Sequence, residues 1–111
     1  MTESEALNFR QDLSPLQGIR ETQTVLTDGK ITQIVMHFPS GCNGLVNVKV
    51  LRGSSPILPR DGFIALDNTT EKFDLDIKVR RSETITVVYE NTDGTYSHKI
   101  SVIVQILPEV V

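Results

Sequence analysis

The chain has 111 residues, 39% of them apolar and 23% charged, with a formal net charge of −3. That length suits one domain able to bury a sizeable core, and the composition excludes wholesale disorder. A net negative charge without a basic stripe excludes a generic nucleic-acid binder, whose phosphate contacts need clustered cations. The one adjacent basic pair, Arg80-Arg81, falls in a turn-like stretch.

Met1-Thr2-Glu3-Ser4-Glu5 lacks the cationic and apolar regions of a signal peptide, and no apolar run approaches the roughly 20 residues that span a bilayer. Cys42 is the single cysteine and has no intrachain disulfide partner. Synthesis in the cytoplasm is the expectation, with later release in an assembled particle such as a virion compatible with it; no membrane partner is expected.

Residues 1–17 read as an N-terminal arm preceding a single domain over 18–111. Leu7, Phe9 and Leu13 occupy odd positions, which suits an extended arm pairing with a sheet and crossing to a neighbouring subunit. A short helix capped by Ser4 is the alternative, weakened by Asn8 and Ser14-Pro15. Ile19 to Leu26 is rich in β-branched residues, and Asp28-Gly29 separates it from Ile31 to Phe38, predicting a hairpin with a type I′ turn. In that second run Ile34, Met36 and Phe38 share one face, and Ile31, Val35 and His37 the other.

Pro39 to Gly44 is a loop, and Val46, Val48 and Val50 mark a strand. Arg52 to Pro56 turns into a short edge piece at Ile57-Leu58, and Phe63 to Leu66 reads as another short strand. Three strands then follow, carried by Phe73, Leu75, Ile77 and Val79, by Ile85, Val87 and Tyr89, and by Ile100, Val102, Val104 and Ile106. Their short connections predict an antiparallel meander. The total of about eight strands at a spacing of roughly 8 to 12 residues predicts an all-β antiparallel sandwich. A jelly-roll-like arrangement ranks first and a fibronectin-like or immunoglobulin-like one second; with one cysteine and no tryptophan, the antibody-type core is excluded.

No catalytic, cofactor or metal site emerges. His37 and His98 stand sixty-one positions apart without HxH, HExxH or CxxC company, and read as ordinary strand histidines. Cys42 lacks a neighbouring base or cation to activate it. Asp74 and Asp76, with Asp67 and Asn68 nearby, suit a solvated sheet face better than a calcium site, and also oppose edge-to-edge pairing. Asn68-Thr69-Thr70 matches the N-glycosylation pattern, read as chance without a secretion signal. Aromatic residues are few: Tyr96 is a plausible stacking platform, whereas Tyr89 lies in the core register.

Phe38-Pro39-Ser40-Gly41-Cys42-Asn43-Gly44-Leu45-Val46, followed by Leu58-Pro59-Arg60-Asp61-Gly62-Phe63-Ile64-Ala65-Leu66-Asp67, resembles small β-sandwich proteins of viruses and phages. The likeness is to capsid decoration and other virion-associated proteins, over roughly residues 18 to 107, in size, strand rhythm and loop style. It implies a non-enzymatic protein assembling on or within a larger particle, commonly as a trimer.

The residues themselves point to protein–protein contact as well. A sandwich covers one face of each sheet, so Val88 and Ile103 fall on faces that something else would bury. Leu7, Phe9, Val88, Ile103, Val110 and Val111 are the candidate interface. The alternative is a solitary carbohydrate-binding module using the loops at 39–44, 53–62 and 91–95.

Overall fold

The computed structural model describes residues 5–109. Its strands are β1 (Glu5–Leu13), β2 (Gly18–Thr24), β3 (Gly29–Phe38), β4 (Val46–Arg52), β5 (Ser55–Leu58), β6 (Thr69–Val79), β7 (Thr84–Asn91) and β8 (His98–Pro108). They form two four-stranded antiparallel sheets, β1-β8-β3-β6 (sheet A) and β2-β7-β4-β5 (sheet B). Among the described strands only β4 and β5 are consecutive and in the same sheet; every other connection changes layer. This interleaving of two Greek keys is the jelly-roll arrangement.

Two expectations of local pairing are corrected by that order. The last three strands are not a meander: β7 lies in sheet B, while β6 and β8 lie in sheet A on either side of β3. Nor do the runs flanking Asp28-Gly29 form a hairpin, because β2 pairs with β7 and β3 with β6 and β8. The Asp-Gly pair marks a crossover between layers. Asp28 ties it down, its Oδ1 accepting the Arg81 N–H at 2.7 Å and its carbonyl accepting the Glu109 N–H at 2.8 Å. Gly29 belongs to β3, and a Cβ there would run into the Leu107 carbonyl.

Period-two patterning builds the core as expected in β6, β7 and β8, with Val79, Ile85, Val87, Tyr89, Ile100, Val102, Val104 and Ile106 all buried. In β3 the alternation is interrupted. The register shifts between Ile31 and Gln33, so Ile31 is buried with Ile34, Met36 and Phe38 rather than facing away from them. A bulge inserts one residue and returns the next apolar side chain to the same face. The run from Phe63 to Leu66 makes a single bridge, Ile64 to Val48, rather than a strand.

The segment expected as an arm enters sheet A as β1, in register from Glu5 opposite Ile106 to Leu13 opposite His98. Leu7 and Phe9, 5% and 1% exposed, pack in the core of their own chain. On the outward faces Val88 is half-buried between Arg20 and Lys49, its register neighbours, and Ile103 sits between Asn8 and Val35. Val110 and Val111 lie outside the described residues.

Candidate functional site

Alternation of layers sends the connections to two ends. One end gathers the β1–β2 turn (residues 14–17), the β3–β4 loop (39–45), the β5–β6 segment (59–68) and the β7–β8 loop (92–97). These are stitched together by backbone hydrogen bonds: Leu16 N–H to Asp93 O at 3.1 Å, Asn91 N–H to Gln17 O at 2.9 Å, Thr92 N–H to Leu45 O at 2.8 Å and Asn68 N–H to Pro39 O at 3.4 Å. The opposite end holds the turns at 25–28, 53–54 and 80–83, joined by Val25 N–H to Glu83 O and Gly53 N–H to Thr84 O, both at 2.8 Å. Of the three loops expected to share a site, 39–44 and 91–95 meet, but 53–54 is at the far end. The β4–β5 turn reverses the chain there, and only the part beyond β5 returns.

Between the β3–β4 and β7–β8 loops lies an open depression of about 570 Å³, lined by Ser40, Gly41, Asn43, Leu45, Asp93, Thr95, Tyr96, Ser97 and His98. His98 is the first residue of β8 and points inward, in step with Ile100 and Val102. Its Nε2 meets Asp93 Oδ2 at 2.9 Å, with both side chains nearly buried. Asp93 Oδ1 accepts the N–H groups of Thr95 at 2.8 Å and Tyr96 at 3.3 Å, an Asx turn that shapes the loop. The hydrogen bond to His98, then the Thr95 N–H, hold the Asp93 carboxyl below the usual range for aspartate.

Asn91, buried at the end of β7, fixes this loop to its neighbours. Its Nδ2 donates to the carbonyls of Leu13 at 3.3 Å, Ser14 at 3.1 Å and Tyr96 at 3.1 Å, and its Oδ1 accepts the Asp93 N–H at 3.0 Å. Across the depression Asp67 does the same for the β3–β4 loop, Oδ1 accepting Gly41 N–H and Asn43 N–H, both at 3.0 Å. Asp67 is thereby a loop anchor. Cys42, between those two residues, is fully buried, and burial followed by the Asp67 charge pushes its thiol up.

Two large apolar side chains project from this anchored end. Tyr96 is 67% exposed and Leu16 is 72% exposed. Leu16 also has φ of 60°, a left-handed conformation that costs a leucine about 1 kcal/mol or more. The Leu16 N–H bond to Asp93 O and the Ser14–Gln17 turn hold it there. Tyr89, by contrast, is fully buried, donating its hydroxyl to Glu21 Oε1 at 3.0 Å. Burial, and then the Glu21 carboxylate, raise that phenol far above its ordinary range, so it stays a donor.

The two histidines do not meet: His37 faces outward with Nδ1 at 2.8 Å from Thr70 Oγ1, while His98 faces inward. Among the described residues no three His, Cys, Asp or Glu side chains gather as a metal-binding group. The sequence reading missed Asn91, Asp93 and His98 as a unit, although all three fall within eight residues. Polar turn formers look alike whether solvated or buried, and burial here arises only because four distant loops converge.

No family model matches the chain, and no curated protein does. Solved structures share its overall form. The crystal structure of FlhE is similar at 14% identity over 93% of this chain and 96% of that one, with a TM-score of 0.48. PliG of Aeromonas hydrophila, a periplasmic inhibitor of g-type lysozyme, is similar at 14% identity over 95% and 87%, with a TM-score of 0.42. The exo-β-1,3-galactanase of Phanerochaete chrysosporium is similar at 11% identity over 94% of this chain and 29% of that one, with a TM-score of 0.45. None of the three is a virion protein, and at such distance none transfers a role.

Proposed function

We propose that this small β-sandwich is a non-enzymatic contact domain that docks on a protein surface through its loop end. The observation that carries the reading is the pairing of two exposed apolar side chains, Leu16 and Tyr96, with a hydrogen-bonded framework that holds both loops in place. Large apolar groups at such exposure are what a protein interface covers, and preorganised loops reduce the ordering cost of binding. The half-buried outward residues Val88 and Ile103 are smaller and flanked by polar neighbours, so they serve as secondary contacts. Decoration or stabilisation of a capsid, with self-association into a trimer, is the narrower form of this reading and rests on the resemblance to virion-associated proteins.

The test is the native mass of the protein in clarified lysate of cells that naturally make it, by size exclusion with immunodetection. Elution well above the 12.4 kDa monomer, lost in a Leu16→Ser/Tyr96→Ser variant, is the expected result. Elution of the unaltered protein as a monomer overturns the reading.

A second reading is a carbohydrate-binding module. Tyr96 beside an open polar depression supports it, because sugars combine a stacking face with hydroxyls that bond to side chains such as Ser40, Asn43 and Thr95. Titration of the labelled protein with a panel of neutral oligosaccharides decides it. Shifts confined to 40–45 and 93–98 favour it, and an unchanged spectrum rejects it.

A further inference from the structure

On the flank away from β1 and β2 the two sheets end unequally. Sheet A ends in β6, eleven residues long, and sheet B ends in β5, four residues long. The short strand leaves part of the inner row of β6 without a roof. Leu75 and Ile77 stay only half-buried on the core side, as does Ile57 opposite them. The gap is an open groove of about 410 Å³, lined by these three residues, by Asp74 and Asp76, and by Arg60.

Along this groove β6 has a strand partner on its β3 side alone. Its free backbone groups belong to the even-numbered residues. The Lys78 carbonyl points into the groove, where it accepts Arg52 Nη1 at 2.7 Å, and alternate residues share that direction. Arg52 closes one end, and Lys72, Asp74 and Asp76 leave the rest of the edge open.

We propose that this groove takes an extended strand from a partner protein, added to the free edge of β6. Backbone pairing with an exposed sheet edge gives such a strand its affinity, and alternate side chains give its specificity. The inner row asks for apolar residues at every second position to cover Leu75 and Ile77. The outer row of β6 reads Lys72, Asp74, Asp76, Lys78, all exposed. Asp76 is shared with Lys30 at 3.4 Å and Asp74 with Gln33 at 3.4 Å, both at the surface.

That charge order selects the occupant. A second copy laid antiparallel with Leu75 opposite itself sets Lys72 against Lys78 and Asp74 against Asp76, and like charges directly opposite repel. The same order attracts a strand reading acid, base, base, acid at alternate positions. Edge charges thus guard against self-pairing while admitting a complementary strand. The groove lies on the sandwich flank, so this inference stands apart from the loop-end reading.

The test titrates 15N-labelled protein with the synthetic peptide Glu-Val-Lys-Val-Lys-Val-Glu and, separately, with its charge-swapped counterpart Lys-Val-Glu-Val-Glu-Val-Lys. The expected result is a set of amide shifts at Lys72, Asp74 and Asp76, with the first peptide bound about tenfold tighter, as four cross-strand charge pairs imply. An Asp74→Lys/Asp76→Lys variant, altered only at exposed positions and checked by its own spectrum, then reverses the preference. Equal binding of both peptides, shifts that avoid β6, or a peptide-free dimer reported by the β6 amides overturns the proposal.

Discussion

Replacing Asn91 with alanine tests whether one buried amide organises the loop end. Its side chain reaches three carbonyls, from Leu13, Ser14 and Tyr96, and one N–H, from Asp93. Two amide hydrogens cannot serve three carbonyls at full strength, so the count is about three effective hydrogen bonds at roughly 1 kcal/mol each. Asn91→Ala is therefore expected to lose about 3 kcal/mol, a large share of the roughly 5–15 kcal/mol that holds a domain together. Urea unfolding followed by circular dichroism reads this as a lower midpoint at unchanged slope. Hydrogen exchange should quicken at Thr95 and Tyr96, while β3 and β8 change only as far as global stability falls. Asn91→Asp should do worse than alanine, because it turns carboxylate oxygens toward carbonyls that need a donor. A loss below about 1 kcal/mol, or a loss that leaves the Thr95 and Tyr96 amides as protected as before, refutes the reasoning.

Other perturbations follow from the same structure. Tyr96→Ala removes a mostly exposed side chain, so its unfolding midpoint should stay within about 0.5 kcal/mol of the unaltered protein while partner contact is lost. Gly29→Ala drives a methyl group into the Leu107 carbonyl and should cost about 1–3 kcal/mol by urea unfolding. Gly94→Ala, which meets open space, is its control and should cost far less. Because Asp93 is held below the ordinary aspartate value, its contribution is fully present above a pH of about 4 and disappears as pH falls through its own lower value. Acid titration watched at the Thr95 and Tyr96 amides should show the loop end loosening there; amides that stay unmoved to the onset of global unfolding count against the Asp93 anchor.

What the sequence made legible was the list of strands more than their partners. The alternation from Phe73 to Val79 survives intact in β6, and Tyr89 lies in the core register that its spacing indicated. Period two says which face of a strand is buried but not which sheet holds it. The crossover at Asp28-Gly29 therefore looked like a hairpin, and β6, β7 and β8 looked like a meander. The bulge after Ile31 is invisible for a related reason: one extra residue exchanges the faces on either side of it. The loop end was harder still. Tyr96 stood out as an aromatic residue in a polar loop, but Asn91, Asp93 and His98 acquire their roles only once Leu13, Ser14 and Leu45 arrive from other strands. No spacing rule links those positions.

The most direct measurement of the loop-end account is site-specific photo-crosslinking in cells that naturally make the protein. A benzophenone amino acid is placed in turn at Tyr96, at Val88 and at Ile103, one at each of the three outward surfaces. The account predicts discrete protein adducts from position 96, and weaker ones or none from 88 and 103. Adducts from 88 or 103 with none from 96 contradict it and move the contact surface to a sheet face.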